Sequence, residues 1–247
     1  CPPILCLQNG VENEIEIESR IPDVKVIGAS ITTAVQRLGL GEVQVQKLRG
    51  VGIEDNSEFT QTIIAAFNSA GLHAKGYPDR ASMKWSKLLT NLQVNATSAI
   101  LNWSPSQILK DPITYQIEVK QIREALAVMK KMGVEVVDLP GTPVKLLVRA
   151  LANIPVSIGR TIIGFPLSKA RGGKMPSLQI DLDAGRRLSE VEFLNGAVER
   201  FGEKNNVPTP VNRALTTILV KLADGSLDKK DFYNNPIYLS KRIEENS

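Results

Sequence analysis

Three side chains in the segment Lys84-Trp-Ser-Lys87-Leu-Leu-Thr-Asn91-Leu-Gln-Val-Asn95 have types and spacing that chemistry could use. Lys87, Asn91 and Asn95 recur at i, i+4 and i+8, so a helix carries them in one row. Trp85, Leu88, Leu89, Leu92, Ala96 and Ala99 fill much of the remaining circumference. This pattern predicts a largely buried helix whose polar row faces water or a lined cleft. One ammonium beside two amides suits a small anionic carbonyl compound. The amides can hold a carboxylate or hydroxyl, and the lysine can donate a proton to a carbonyl oxygen. A solvent-exposed helix face accounts for the same row, and spacing alone leaves both readings open.

A second polar cluster lies between Met175 and Gly196. Ser177 follows Pro176 at a predicted helix start, and Gly185 is placed to end that helix. Glu190 falls in the first turn of the next predicted helix, where the macrodipole favours a carboxylate. Ser177 and Glu190 are equally ordinary as capping residues. Asn195-Gly196 inside that helix costs about 1 kcal/mol relative to alanine and points to close packing.

Other chemistries are poorly supplied. The chain has a single histidine, His73, read as an exposed loop or helix-end residue, which removes most metal and Ser/His or Cys/His mechanisms. Cys1 and Cys6 are the only cysteines, so no disulfide framework or zinc quartet is available, and Cys6 reads as a buried thiol. Lys and Arg total 30 against 26 for Asp and Glu, and this +4 excess is too small and too spread out to indicate a nucleic-acid partner. The most apolar run, Leu147 to Leu167, is interrupted by Arg149, Asn153, Pro155 and Arg160 and does not read as a membrane span. The sequons at Asn95 and Asn102 are not expected to be used, since nothing in these residues suggests secretion, and Lys169 to Lys174 reads as a solvated basic loop. A soluble, cytoplasmic protein is the expectation.

The elements that position these residues can be read from periodicity. At 247 residues, 43% hydrophobic and 23% charged, the chain can bury one large core or two ordinary ones. Pro3 to Gly10 reads as an apolar strand running into a turn, followed by a short helix over Glu12 to Ile21. Val24 to Gly28 and the Thr-rich Ser30 to Val35 are β-branched enough to be strand. Gly39-Leu-Gly41 predicts a hairpin turn with a second arm over Glu42 to Leu48. Ser57 to Ala70 predicts a helix with Phe59, Ile63, Ala66 and Phe67 on its apolar stripe, stopped by Gly71.

From Asp79 onward the signals are almost all helical. Asp111-Pro112 opens a helix that ends at Gly133, Thr142-Pro143 opens one to about Ala152, and Thr209-Pro210 opens one through Leu222. Ser189 with Glu192 fits a capping box, followed by Leu194, Ala197, Val198 and Phe201 at helical spacing. Asp224 to Ser247 is polar and is expected to wrap the surface or fray. Residues 1–78 thus read as a partial α/β domain and 79–247 as an all-helical one.

Taken in order, several short motifs form a pattern. They are Leu7-Gln8-Asn9-Gly10-Val11, then Lys87 with Asn91 and Asn95, then Pro176-Ser177-Leu-Gln-Ile-Asp181 with Gly185-Arg186. Glu190-x4-Asn195-Gly196 and Val207-Pro-Thr-Pro-Val-Asn212 follow. This set resembles the ketopantoate reductase (2-dehydropantoate 2-reductase) family from Cys6 to Leu222. The resemblance implies α/β plus all-α architecture. The first part would be the C-terminal portion of a Rossmann-type NADP-binding domain, and the second a helical domain like that of 6-phosphogluconate dehydrogenase, with the site in the cleft between them.

The activity implied is NADPH-dependent reduction of ketopantoate to pantoate, on the route to pantothenate and coenzyme A. By the same resemblance Lys87 would be the general acid, Asn91 and Asn95 would hold substrate, and Ser177 would bind its carboxylate. Glu190 would contact the cofactor and help orient Lys87. Asn9 would lie near the nicotinamide and ribose, and Ala34 would offer the cofactor a backbone contact. A free lysine titrates near ~10.4, and a partly desolvated site would bring it toward the working pH. A homodimer is the assembly considered.

Two departures accompany the resemblance. The only G-x-G pairs, Gly39-x-Gly41 and Gly50-x-Gly52, fall in hairpin or strand contexts and lack the third glycine of a phosphate-binding turn. The expectation is therefore a fragment of the reductase, with roughly 90 residues of the dinucleotide-binding half lying upstream. Where the family often places a further substrate-contacting asparagine, this chain has Ser104-Pro105-Ser106. A related 2-oxo acid reductase and a non-catalytic helical binding or dimerisation module are the alternative readings.

Overall fold

In the computed structural model, which describes residues 2–153, 176–185 and 190–245, the chain divides into two compact units. Unit 1 is Cys1–Leu88 with Val134–Lys145, and unit 2 is Leu89–Gly133 with Leu146–Ser247. The division falls later than the change of character at Asp79, and a return segment joins the first unit. Composition marks where helices begin, whereas packing assigns the start of the first of them to the sheet.

Unit 1 is built on four strands in the order β1 (Ile4–Cys6), β2 (Val26–Ile31), β5 (Val51–Glu54) and β6 (Ala74–Tyr77). β1 runs parallel to β2 and β5 parallel to β6, while β2 and β5 are antiparallel. Ile27, Ala29, Val51 and Ile53 form the buried centre, with Leu5, Ile63, Ile64, Phe67 and Ala74 packed against it. A helix, α1 (Asn13–Arg20), follows β1.

The helix α2 (Glu58–Ser69) starts at a capping box in which Ser57 and Thr60 exchange side-chain and backbone hydrogen bonds. That box buries Thr60 and turns the inward stripe to 60, 63, 64 and 67. Phe59, expected on the stripe, is consequently 47% exposed, and Ile64 packs inward instead.

The Thr-rich run is not one strand. Thr32 Oγ1 lies 2.9 Å from the carbonyl oxygens of both Gly50 and Pro140, which share its one proton, and Thr33 Oγ1 accepts the amides of Arg49 and Gly50 at 3.1 and 2.9 Å. These hydroxyls engage backbone groups from segments distant in the chain, and the chain leaves the sheet after Ile31. It continues as β3 (Ala34–Gly39), which pairs with β4 (Glu42–Lys47) in a separate hairpin turned at Gly41. Gly50 has φ +141°, and a Cβ there would sit 2.3 Å from the His73 carbonyl oxygen. His73 itself is exposed, and Cys6 is a buried free thiol.

Helix α3 (Arg80–Leu92) leads out of β6 and is followed by α4 (Ala96–Leu101), α5 (Pro105–Lys110), α6 (Pro112–Met132) and α7 (Val144–Asn153). In α6 the Asp111 carboxylate accepts the amides of Ile113 and Thr114, and Gly133 ends the helix at φ +72°. Further on are α8 (Ser177–Asp183), a 3-10 turn (Glu190–Phe193), α9 (Asn195–Lys204) and α10 (Pro210–Ala223). Thr209 makes no capping bond. The Glu124 carboxylate takes the amides of Val211 and Asn212 instead, at 2.9 and 3.0 Å.

Two expectations for this region change. Glu190 lies in the 3-10 turn, and Asn195-Gly196 opens α9 rather than interrupting it. Buried Asn195 explains the later start, because its Nδ2 donates to Gln121 Oε1 and Asn212 Oδ1, both at 2.9 Å. The polar tail is also ordered, as α11 (Lys229–Phe232) and α12 (Pro236–Glu245), with Phe232, Leu239 and Ile243 buried. Three anchors at sparse spacing suffice for this, though they leave the average composition polar.

Ser189, Arg186, the loop Lys169 to Lys174, Cys1 and most of the run Leu147 to Leu167 lie outside the described residues. Among the described residues, no helix is long and apolar enough to cross a membrane.

Candidate functional site

Helix α3 shows why its polar residues cannot all share one row. Met83, Trp85, Leu88, Leu89 and Leu92 are buried, while Lys87, Thr90 and Asn91 are half-buried. Lys87 and Asn91 therefore lie one turn apart on the only wet stripe of the helix, as their spacing predicts. The row then stops. α3 ends at Leu92, and Val94 adopts a left-handed conformation at φ +52° before α4 begins.

Asn95 lies beyond this break and turns to a different partner. Its Nδ2 donates to Ser177 Oγ at 3.3 Å, and its Oδ1 accepts the Leu178 amide at 3.1 Å. Ser177 is the first residue of α8, behind Pro176. Two residues singled out from separate motifs thus meet, both in unit 2.

The remaining sequence-selected residues are placed as follows. Asn9 is exposed in the turn after β1, where its carbonyl accepts the Asn13 amide group at 2.6 Å and the next residue, Gly10, has φ +95°. Ala34 opens β3, paired with Lys47, three residues after the end of β2. Because β1 and β2 are parallel, the turns that follow them leave the sheet at its carboxyl end, where α/β sheets usually take ligands. Glu190 is half-buried in its 3-10 turn.

Sequence reasoning passed over a buried charge close to Lys87. Lys84 Nζ lies 2.7 Å from Glu14 Oε1, with the two side chains only 3% and 2% exposed. Its other donors reach the carbonyls of Gln8 at 2.7 Å and Ala29 at 3.3 Å. The buried ammonium is thus compensated by one carboxylate charge and two carbonyl acceptors, as a buried lysine requires. Lys84 joins α1, β2 and the turn bearing Asn9 to the helix bearing Lys87, all within unit 1. The available signal was spacing: Lys84 lies three residues before Lys87 and seven before Asn91, on the same face of the helix.

A second buried polar group joins Gln121, Asn195, Asn212 and Glu124. Asn212 Nδ2 donates to the Gln121 carbonyl at 3.0 Å and to Glu124 Oε2 at 2.7 Å. Burial pushes the Glu124 carboxyl above its usual range, against the opposing effect of the hydrogen bonds it accepts from Asn212 and Val211. Among the described residues, no three His, Cys, Asp or Glu side chains converge as metal ligands would.

The chain has known relatives. Residues 79–223 match the family model described as the C-terminal part of ketopantoate reductase PanE/ApbA, and residues 2–57 match the companion model for ketopantoate reductase PanE/ApbA. A 2-dehydropantoate 2-reductase of Pyrobaculum aerophilum is 26% identical over 212 residues, covering 86% of this chain and 66% of the relative. The chain thus spans slightly under two thirds of the length of that curated relative. A PanE/ApbA family ketopantoate reductase of Ralstonia eutropha superposes with a TM-score of 0.74 at 26% identity, over 90% of this chain and 67% of the other. D-mandelate dehydrogenase, solved in complex with NADH, shares the fold at a TM-score of 0.70 and 21% identity, over 90% and 76% of the two chains.

Proposed function

Because the chain belongs to the ketopantoate reductase family, we propose that it supplies the proton-donating and substrate-holding residues of an NADPH-dependent reduction of 2-dehydropantoate to pantoate. The observation that carries this reading is the family match over 79–223. That span contains Lys87, Asn91, Asn95, Ser177 and Glu190, whose types suit this chemistry.

The residues present fit one end of a dinucleotide. Asn9 offers an exposed amide beside left-handed Gly10, at the carboxyl end of two parallel strands, and this suits a carboxamide or ribose hydroxyl. Asn9, the backbone at Ala34, and Glu190 are the groups assigned to it. When bound, NADPH supplies the hydride.

The chain's own residues would do the rest. As the keto oxygen gains negative charge, the Lys87 ammonium stabilises it and then protonates it. The half-buried setting of Lys87 strengthens that interaction relative to bulk water. The Asn91 and Asn95 amides hold the substrate. Ser177 accepts a hydrogen bond from Asn95, which leaves its own O–H to donate to the substrate carboxylate. A substrate gripped in this way presents one carbonyl face, and orientation of this kind lowers the barrier.

A place in pantothenate synthesis, a cytoplasmic location and a homodimeric assembly belong to the same proposal. Light scattering on the purified protein tests the assembly. The activity is tested by titrating NADPH into the protein with and without ketopantoate, and following fluorescence and then loss of NADPH absorbance. Binding that ketopantoate strengthens, followed by oxidation, supports the proposal. Oxidation only with simpler 2-oxo acids would instead identify a reductase of related specificity. No response in the full-length protein would favour a non-catalytic module.

A further inference from the structure

Between α3 and α4 the backbone does something costly. Val94 is fully buried, β-branched and left-handed at φ +52°, a conformation that crowds a branched side chain and costs on the order of 1–3 kcal/mol. Glycine would take this turn freely, so something in unit 2 must hold valine there. The holder is visible on α6. Glu118, itself 3% exposed, accepts the Val94 amide at 2.7 Å on Oε2 and the Thr97 hydroxyl at 2.6 Å on Oε1. One turn along α6, Gln121 Nε2 donates to the Leu92 carbonyl at 3.4 Å, the last residue of α3.

Both ends of the break are therefore tied to one helix: the terminal carbonyl of α3 to the Gln121 amide group, and the Val94 amide with the Thr97 hydroxyl to the Glu118 carboxylate. Without the break, Asn95 would follow Asn91 by one further helical turn. With it, Asn95 is redirected to Ser177 and the Leu178 amide. The Val94 amide next to it is buried against a carboxylate rather than water, so removing the carboxylate exposes the full cost of that unpaired donor.

We propose that Glu118 is a positioning residue for substrate recognition: by holding Val94 in the left-handed turn, its carboxylate sets Asn95 against Ser177. This rests on the reading of Asn95 as a substrate-holding residue, and the test separates the two. Pantoate, the proposed product, is titrated calorimetrically into the full-length protein carrying NADP, so that no turnover is needed. NADP affinity is measured separately.

Asn95→Ala is the reference variant. If it leaves pantoate affinity unchanged, the reading of Asn95 fails and the proposal falls with it. If Asn95→Ala weakens pantoate binding, Glu118→Ala is expected to weaken it by about tenfold as well, with NADP affinity unchanged. Glu118→Gln should restore most of the loss, because its carbonyl still accepts the Val94 amide while the Thr97 hydroxyl turns to accept from the new amide group. Unchanged pantoate affinity in Glu118→Ala, or equal weakening of NADP and pantoate with no rescue by glutamine, overturns the proposal and leaves the Asn95 reading intact. Should Glu118→Ala not fold, the double variant Glu118→Ala/Val94→Gly is read in its place. Pantoate affinity close to wild type supports the proposal, and affinity as weak as that of Asn95→Ala overturns it.

Discussion

Asn95 grips the start of α8 beside Ser177 through both ends of its amide: Nδ2 donates to the Ser177 hydroxyl at 3.3 Å, and Oδ1 accepts the amide of the next residue, Leu178, at 3.1 Å. One short side chain thus joins α4 to α8 and leaves its partner's O–H available. Asn95→Ala removes both bonds and leaves a buried Leu178 amide without its partner. We expect a loss of about 1–3 kcal/mol of stability, read by urea denaturation. Asn95→Asp should keep the Leu178 acceptor and recover part of that loss.

Lys87 belongs to the half-buried stripe of α3 and is the proposed proton donor. Lys87→Ala should lower kcat by about 10²- to 10⁴-fold while NADPH affinity, followed by fluorescence, stays within a few-fold. Turnover that survives the substitution would remove Lys87 from the mechanism.

Lys84 and Glu14 should behave differently from a surface pair. Both are buried, so removing one partner strands the other charge in the protein interior. Glu14→Ala is expected to cost about 3–5 kcal/mol, seen as a lower denaturation midpoint at unchanged slope. The exposed pair of Arg20 with Glu16 serves as the control, where Glu16→Ala should cost about 0–1 kcal/mol.

Tyr77 predicts an alkaline response. Burial, followed by the negative charge of Asp138, pushes its phenol from 10.0 up to about 12, and its hydroxyl donates to the Asp138 carbonyl at 2.8 Å. The folded state therefore holds this proton more tightly than the unfolded chain. The resulting contribution is fully present below pH 10 and is lost progressively as the pH rises from 10 toward 12. Tyr77→Phe should flatten that part of the stability profile, as measured by urea denaturation at a series of pH values. A profile identical to wild type would show that Tyr77 is not the group responsible.

Much of this molecule is legible in its sequence, because the signals are local. Asp111-Pro112 and Gly133 bound α6 as read, since capping and left-handed φ depend on a few adjacent atoms. The buried face of α3 follows from its apolar spacing, and so does the pairing of Lys87 with Asn91 on the wet stripe. The motifs that suggested the family are likewise short, ordered strings.

Tertiary structure decided what depends on partners distant in the chain. The row from Lys87 to Asn95 looks continuous in sequence, but Glu118, 24 residues beyond Val94, bends it. The strand expected through Thr32 and Thr33 ends early because their hydroxyls find Gly50 and Pro140. The polar tail folds because three apolar residues find a core. Lys84, an ordinary charge in sequence, becomes a buried tie only where α1, β2 and the turn after β1 bring a carboxylate and two carbonyls to it. Periodicity records which face of an element is apolar, whereas buried polar groups are decided by which partner arrives, and that is a property of the assembled fold.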